Sequence, residues 1–330
     1  MGDLTTIEHI AHSILEQEPG EVVRFRLLRD VLRTPVTDPE LREAREGLDR
    51  SHHVQILAGE QREDGGWGPF HSRSTKLKQR IISTEVGVER ALALGLDRSH
   101  PILHRAADYI ISVMEGEIPF PDYHEKNDRW TTGMRMFLAS TLSLIVPDHP
   151  LLDKNRKLWV KIVRIAFQSG WYDENDEIQA HAELTGATVK DSYLVLNGRY
   201  QLNILGSVPG LLPDWLERAL LEWLWQREDG IGYLEAPLGC PPPQRAGDFG
   251  RWMTSLELLS RLFPRWVFRA EEAIDWLWNE RDDSGLWDFG SRASTSTTLP
   301  LSNSWHRREN RVFDWTTRVL VLLRRYLDNA

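Results

Sequence analysis

Apolar positions recur along the whole chain at the three-to-four-residue spacing of a helix face, and the two-residue alternation of a half-buried strand is nearly absent. Residues 5–16 and 22–33 read as two short helices. Residues 39–60 read as a longer one opened by Pro39, because proline's missing N–H costs nothing in a first helical turn. Further helices are expected over 83–96, 130–145, 197–205, 251–262 and 313–326. Pro101, Pro150, Pro213 and Pro264 fall between apolar stretches, where proline restarts the chain direction.

One kind of turn repeats between these helices. Its fullest copy is Gln61-Arg62-Glu63-Asp64-Gly65-Gly66-Trp67-Gly68, rich in glycines that accept positive φ. It returns as Gln226-Arg227-Glu228-Asp229-Gly230-Ile231-Gly232-Tyr233 and as Asn279-Glu280-Arg281-Asp282-Asp283-Ser284-Gly285-Leu286-Trp287, with a remnant at Gln168-Ser169-Gly170-Trp171. Each copy follows an apolar helical stretch, so the chain repeats a unit of helix, glycine turn, loop and helix about 50 residues long.

These Gln-x-x-Asp-Gly-x-Trp turns resemble the glutamine–tryptophan repeats of the squalene/hopene cyclase and protein prenyltransferase superfamily, across residues 39–326. The resemblance implies an all-α fold, an α/α toroid in which inner and outer helices alternate around a closed barrel. Residues 39–330 are then the toroid and 1–38 a helical appendage. It also implies that Gln61, Trp67, Gln226 and Trp287 lock consecutive repeats together at the periphery. In physical terms, an amide satisfies orphan backbone groups at a helix end while an aromatic ring covers them.

The family's catalytic signatures are not carried over. Cyclases that protonate their substrate use Asp-x-Asp-Asp. Here Glu280-Arg281-Asp282-Asp283 begins with the wrong residue and sits in a repeat turn, while Asp173-Glu174-Asn175-Asp176 reads as a polar loop. Asp-Asp-x-x-Asp is missing. The prenyltransferase zinc set of Asp-x-Cys and a distant histidine fails at Cys240, which Leu238 precedes by two, and no spacing recommends Asp248 or His306 as partners. No metal or other cofactor is expected.

Composition narrows the picture further. A net charge of −9 disfavours nucleic acid as a partner. The single cysteine excludes a disulfide framework. With no charged leader before an apolar run and no long apolar segment, a cytoplasmic chain without a membrane span is expected. Fourteen tryptophans serve either as wedges between helical layers or as the lining of a cavity for a greasy ligand.

In a ring of helices, the ligand cavity opens near the N-termini of the inner helices, where free N–H groups and positive dipole ends favour an anion. Those starts carry Asp128-Arg129-Trp130, Arg199-Tyr200, Asp248 with Arg251-Trp252, and Arg311 with Asp314-Trp315, while the first contributes Glu85. The candidate catalytic residues are Asp128, Asp248, Asp314 and His306. The candidate binding residues are Glu85, Arg129, Trp130, Arg199, Tyr200, Arg251, Trp252, Arg311, Trp315 and Arg318. Arginines clamp carboxylate or phosphate, aromatic faces stabilise positive charge, and a carboxyl packed against aromatics becomes a general acid. The same aspartates also serve as helix caps.

Loops at 119–126 and 292–310 supply His124 and His306 as bases. No metal site is read from His52-His53, and Lys190-Asp191-Ser192-Tyr193 reads as a helix cap rather than a nucleophile. The expected function is acid-initiated cyclisation, isomerisation or hydration of a small hydrophobic compound, isoprenoid or anionic. The alternatives are a noncatalytic module for a small molecule or peptide, and a carbohydrate lyase or hydrolase.

Overall fold

The computed structural model describes residues 3–72, 78–188, 193–293 and 297–330. Lys190, Asp191 and Ser192 lie outside the described residues, as do residues 294–296 of the serine- and threonine-rich run. Among the described residues the chain forms fourteen α-helices. The first seven are α1 Leu4–Leu15, α2 Glu21–Arg26, α3 Pro39–Arg50, α4 His52–Glu60, α5 Thr84–Leu94, α6 Pro101–Glu115 and α7 Trp130–Ile145. The second seven are α8 Asp153–Ala166, α9 Glu174–Thr185, α10 Arg199–Leu205, α11 Asp214–Gln226, α12 Ala246–Leu262, α13 Val267–Asn279 and α14 Arg308–Asn329. A π-helical turn, Leu27–Val31, continues α2. None of these helices is long and apolar enough to cross a membrane.

Local chemistry explains most boundaries. Asp3, Asp38 and Ser83 each accept a backbone N–H at a helix start, and Pro39 and Pro101 occupy first turns. Residues 39–60 break into two helices because Ser51 adopts an extended conformation, φ −62° and ψ 147°. The bend lets α3 pack on α2 while α4 packs on α5, which one straight rod does not allow. The acidic run at 173–176, expected as loop, instead opens α9: Asp173 accepts from Asn175 N at 2.8 Å and Asp176 N at 3.1 Å.

Neighbour packs on neighbour from α3 through α7. The arrangement closes where α14 meets α1, α2 and the π-turn. Side chains of α2 and its π-turn, α5, α7, α10, α12 and α14 face a central cavity, and no other described helix reaches it. Segment 1–38 therefore both packs on α14 and supplies Arg26 and Arg29 to the cavity wall.

The first and last copies of the repeated turn are built alike. Trp67 donates its indole N–H to Leu57 O at 3.0 Å and its backbone N–H to Thr84 Oγ1 at 3.1 Å. Trp287 does the same toward Leu277 O at 2.6 Å and Thr316 Oγ1 at 3.0 Å. Gln61 Nε2 adds bonds to Gly65 O and to Ile102 O on α6. Each tryptophan thus pins the helix before it to the helix after it, and both rings are fully buried. The middle copies differ. Gln226 is exposed and bonds Glu222 within its own helix, Ile231 fills the buried site, and Trp171 is 74 % exposed.

Candidate functional site

The central cavity has a volume of about 850 Å³. Among the described residues its lining includes eight arginines against three carboxylates, Glu89, Asp97 and Glu257. Leucines, Ile145 and Val321 provide apolar wall between the charges, and Tyr233 is the one aromatic. A chain that is acidic overall therefore encloses a strongly basic interior. Contacts between the lining helices pair early residues with early and late with late: Glu89 with Arg199, Glu257 with Arg318, Ser260 with Arg325. The cavity consequently has an N-terminal and a C-terminal end.

At the N-terminal end lies a hydrogen-bonded cluster centred on Glu85, in the first turn of α5. Its Oε2 takes Tyr200 OH at 3.0 Å and lies 3.0 Å from His71 Nδ1. Tyr200 OH is also 3.1 Å from His71 Nδ1 and receives Arg199 Nη2 at 3.2 Å. The imidazole stacks on Phe137, with centroids 4.0 Å apart and planes 7° from parallel. Its loop is held by Asp122, whose carboxylate accepts the backbone N–H groups of Phe70, His71 and Ser72.

Glu85 Oε1 is buried with no hydrogen-bond partner among the described residues. Burial pushes the Glu85 carboxyl above its ordinary range, and the bond from His71 offsets this only in part. Burial likewise raises the Tyr200 phenol. Arg199 pairs with Glu89 at 2.7 Å. Burial works against its charge, but Glu89, Tyr200 and Glu85 together outweigh it and hold the guanidinium firmly protonated. The His71 side chain is 27 % exposed, so the cluster is not sealed.

The C-terminal end is organised differently. Arg26 and Arg29 share one carboxylate, Asp30, and donate to Ala93 O and Gly95 O at the end of α5. Burial alone would raise Asp30, yet the two guanidinium groups hold it well below the usual carboxylate range. Arg318 forms a two-pronged pair with Glu257 at 2.5 and 2.7 Å. Among the described residues, Arg261 and Arg325 have only neutral hydrogen-bond acceptors: Asn203 Oδ1 at 3.3 Å and Ser260 Oγ at 3.4 Å.

The sequence candidates occupy separate surroundings. Arg199, Arg251 and Arg318 line the cavity, and Glu85 and Tyr200 stand behind Arg199. Asp128 is exposed and accepts Thr188 N at 2.9 Å, a bond that holds its pKa low. Asp248 pairs with Arg251 one turn on. Asp314 is buried and receives Leu301 N, Ser302 N, Ser302 Oγ and Trp305 Nε1, tying the loop before α14 onto that helix. Burial pushes its carboxyl up despite those bonds.

His306 is exposed. Arg129 lies over the Tyr193 ring, Trp130 contacts Phe120 and His124, and Arg311 pairs with Asp288. Trp252 and Trp315 are fully buried and donate to Leu238 O and Gly290 O. None of these three tryptophans lines the cavity. Asp128, Asp248 and Asp314 thus sit in three separate surroundings. No group of three or more His, Cys, Asp or Glu side chains suited to a metal ion occurs among the described residues.

Sequence reasoning missed His71, Glu89, Arg26, Arg29, Arg261 and Arg325. A signal existed for part of this set. Arg251, Thr254, Glu257 and Arg261, like Arg318, Val321 and Arg325, recur at helical spacing on otherwise apolar helices, the mark of a polar stripe facing an internal space.

No protein-family model, curated protein or solved structure matches the chain.

Proposed function

We propose that the chain is an α/α toroid of the kind its glutamine–tryptophan turns resemble, and that it is an enzyme. Its central cavity binds a small hydrophobic molecule with an anionic end, and Glu85, in the hydrogen-bonded cluster behind the cavity wall, is the proton source that starts an isomerisation, hydration or cyclisation. One observation carries this reading: a buried carboxyl with a raised pKa and one free oxygen is hydrogen-bonded, through Tyr200 and Arg199, to the wall of an arginine-lined cavity. A carboxyl whose pKa is raised by burial holds its proton to higher pH and so serves better as a general acid than one in its ordinary range. His71 and Tyr200, both within hydrogen-bond distance of its other oxygen, return the proton. Glu85 supports the role of acid better than Asp128, Asp248 or Asp314, whose carboxylates are committed to a loop N–H, an ion pair and a loop anchor.

Among the possible reactions, those without a long-lived carbocation fit best. A cation gains little from a wall with one aromatic ring and a surplus of arginine. The same wall gives little support to carbohydrate processing, which relies on stacking platforms. The test is incubation with a panel of isoprenoid and carboxylate compounds, followed by mass spectrometry, for the native chain and Glu85→Gln. Conversion that Glu85→Gln abolishes supports the reading; conversion at an unchanged rate overturns it. A noncatalytic binding module is the second reading, favoured by the absence of the family's acid motif, and it predicts tight binding with no conversion.

A further inference from the structure

The C-terminal end of the cavity holds more positive charge than the protein itself neutralises. Arg26, Arg29, Arg261, Arg318 and Arg325 line it, and the carboxylates paired with them are Asp30, shared by Arg26 and Arg29, and Glu257, held by Arg318. Five guanidinium groups against two carboxylates leave a surplus of three positive charges. The surplus is concentrated. Burial first, then Arg26 and Arg261, pull Arg325 down to about 10, with Asp30 and Glu257 offsetting part of the shift. Burial also lowers Arg261; Glu89 and Glu257 offset this in part, and Arg199 reinforces it.

Protein atoms crowd the Arg261 guanidinium, yet the side chain is open to the cavity. Arg318 Nη1 is buried with no partner among the described residues. Like charges gathered in a cavity repel one another, and the neutral acceptors of Arg261 and Arg325 offset little of that cost. An arginine presents a planar fork of donors matched to oxyanions, and here forks from three separate helices converge.

We propose that this cluster is a binding site for a compact polyanion carrying two or three negative charges, with Arg261 and Arg325 as its main ligands and Arg26 and Arg318 beside them. The proposal rests on the reading of the cavity as a ligand site, and it adds the class of anionic group and the end of the cavity that holds it. Leu92, Ala93, Leu258 and Val321 border the cluster and leave room for an apolar portion pointing toward Glu85.

The experiment is isothermal titration calorimetry of the full chain with inorganic pyrophosphate and, separately, with citrate. Binding of either is expected, with affinity falling as salt rises. Pyrophosphate alone identifies a phosphate chemistry and citrate alone a carboxylate chemistry; both outcomes support the site. The double variant Arg261→Gln/Arg325→Gln is expected to bind at least tenfold more weakly, while Arg42→Gln on the exposed face of α3 binds as the native chain does. Relief of repulsion keeps the melting temperature of the double variant at or above the native value, which separates lost binding from lost folding. Should that variant fail to fold, Arg261→Gln alone is expected to weaken binding at least threefold.

Absence of binding by the native chain to both anions, or unchanged binding by the arginine variants, overturns the proposal. Arginine-dependent binding without conversion of any compound leaves this site standing and removes the enzymatic reading. Conversion of an anionic substrate with an unchanged KM in the double variant removes this site and leaves the enzymatic reading.

Discussion

The two ends of the cavity solve opposite electrostatic problems. At the N-terminal end every cation has a nearby acid: Arg199 is matched to Glu89, and Arg251 to Asp248. Its central acid is buried deeply enough to stay protonated above its ordinary range. At the C-terminal end Arg261 and Arg325 have only neutral hydrogen-bond acceptors among the described residues, and Glu89, Glu257 and Asp30 offset their charge from further off. A balanced hydrogen-bonded network is rigid and sets proton positions. An unbalanced cluster is one that an anion from solution would complete, as proposed above. The comparison teaches that charge removal has opposite signs at the two ends, and it can be broken on that point.

The largest effect is expected from Glu85→Gln, which keeps the shape of the cluster and removes its proton. Turnover of an identified substrate should fall about a thousandfold, the scale of a lost general acid, as read from single-turnover rates. Next is Arg199→Gln, which leaves Glu89 without its cation. Stability should fall by about 3 kcal/mol, measured from the urea midpoint at constant slope; no loss breaks the idea of a balanced end. Asp314→Asn follows. It replaces an acceptor of four N–H and O–H donors, so a loss of about 2 kcal/mol is expected, checked the same way.

The smallest effects test the sign most directly. Arg261→Gln should stabilise the unliganded chain by a few tenths of a kcal/mol, about the size of a solvent-screened surface interaction. That gain should vanish in high salt; destabilisation instead breaks the contrast. The pH slope is the finest test. Glu85 holds its proton in the folded state above the ordinary value of 4.5. Between that value and the raised one the folded chain therefore binds more protons than the unfolded chain, and stability falls as pH rises. Glu85→Gln should flatten that part of the stability profile relative to the native chain.

The ring was more legible in the sequence than the site. Gly65, Trp67 and Trp287 announce their turns because the geometry they impose is local: a glycine at φ +95°, and an indole donating ten residues back. Glu85, Arg199, Arg251 and Arg318 could be named as candidates because helix starts and arginines beside aromatics are readable. His71 was not, because its approach to Glu85 depends on Asp122, which lies fifty-one residues further on. Arg26 and Arg261 escaped because an arginine on a helix reads as solvated until the helix is known to face inward. The aromatic lining inferred from the tryptophan content was a matter of direction. Six tryptophans are fully buried between helices instead, a role the same composition permits.

The closure between α14 and the first two helices has a consequence for how the protein is made. Arg33 reaches Asp328, and Arg324 bonds Val31 O, across nearly the whole length of the chain. Such distant contacts form late and slowly. On the ribosome, Arg26 emerges early and Arg318 and Arg325 late, so the proposed anion site cannot form until α14 has been synthesised and docked. A nascent chain has no means of trapping a cellular polyanion prematurely, and ligand supplied during refolding should accelerate only the final step, in which the ring is sealed.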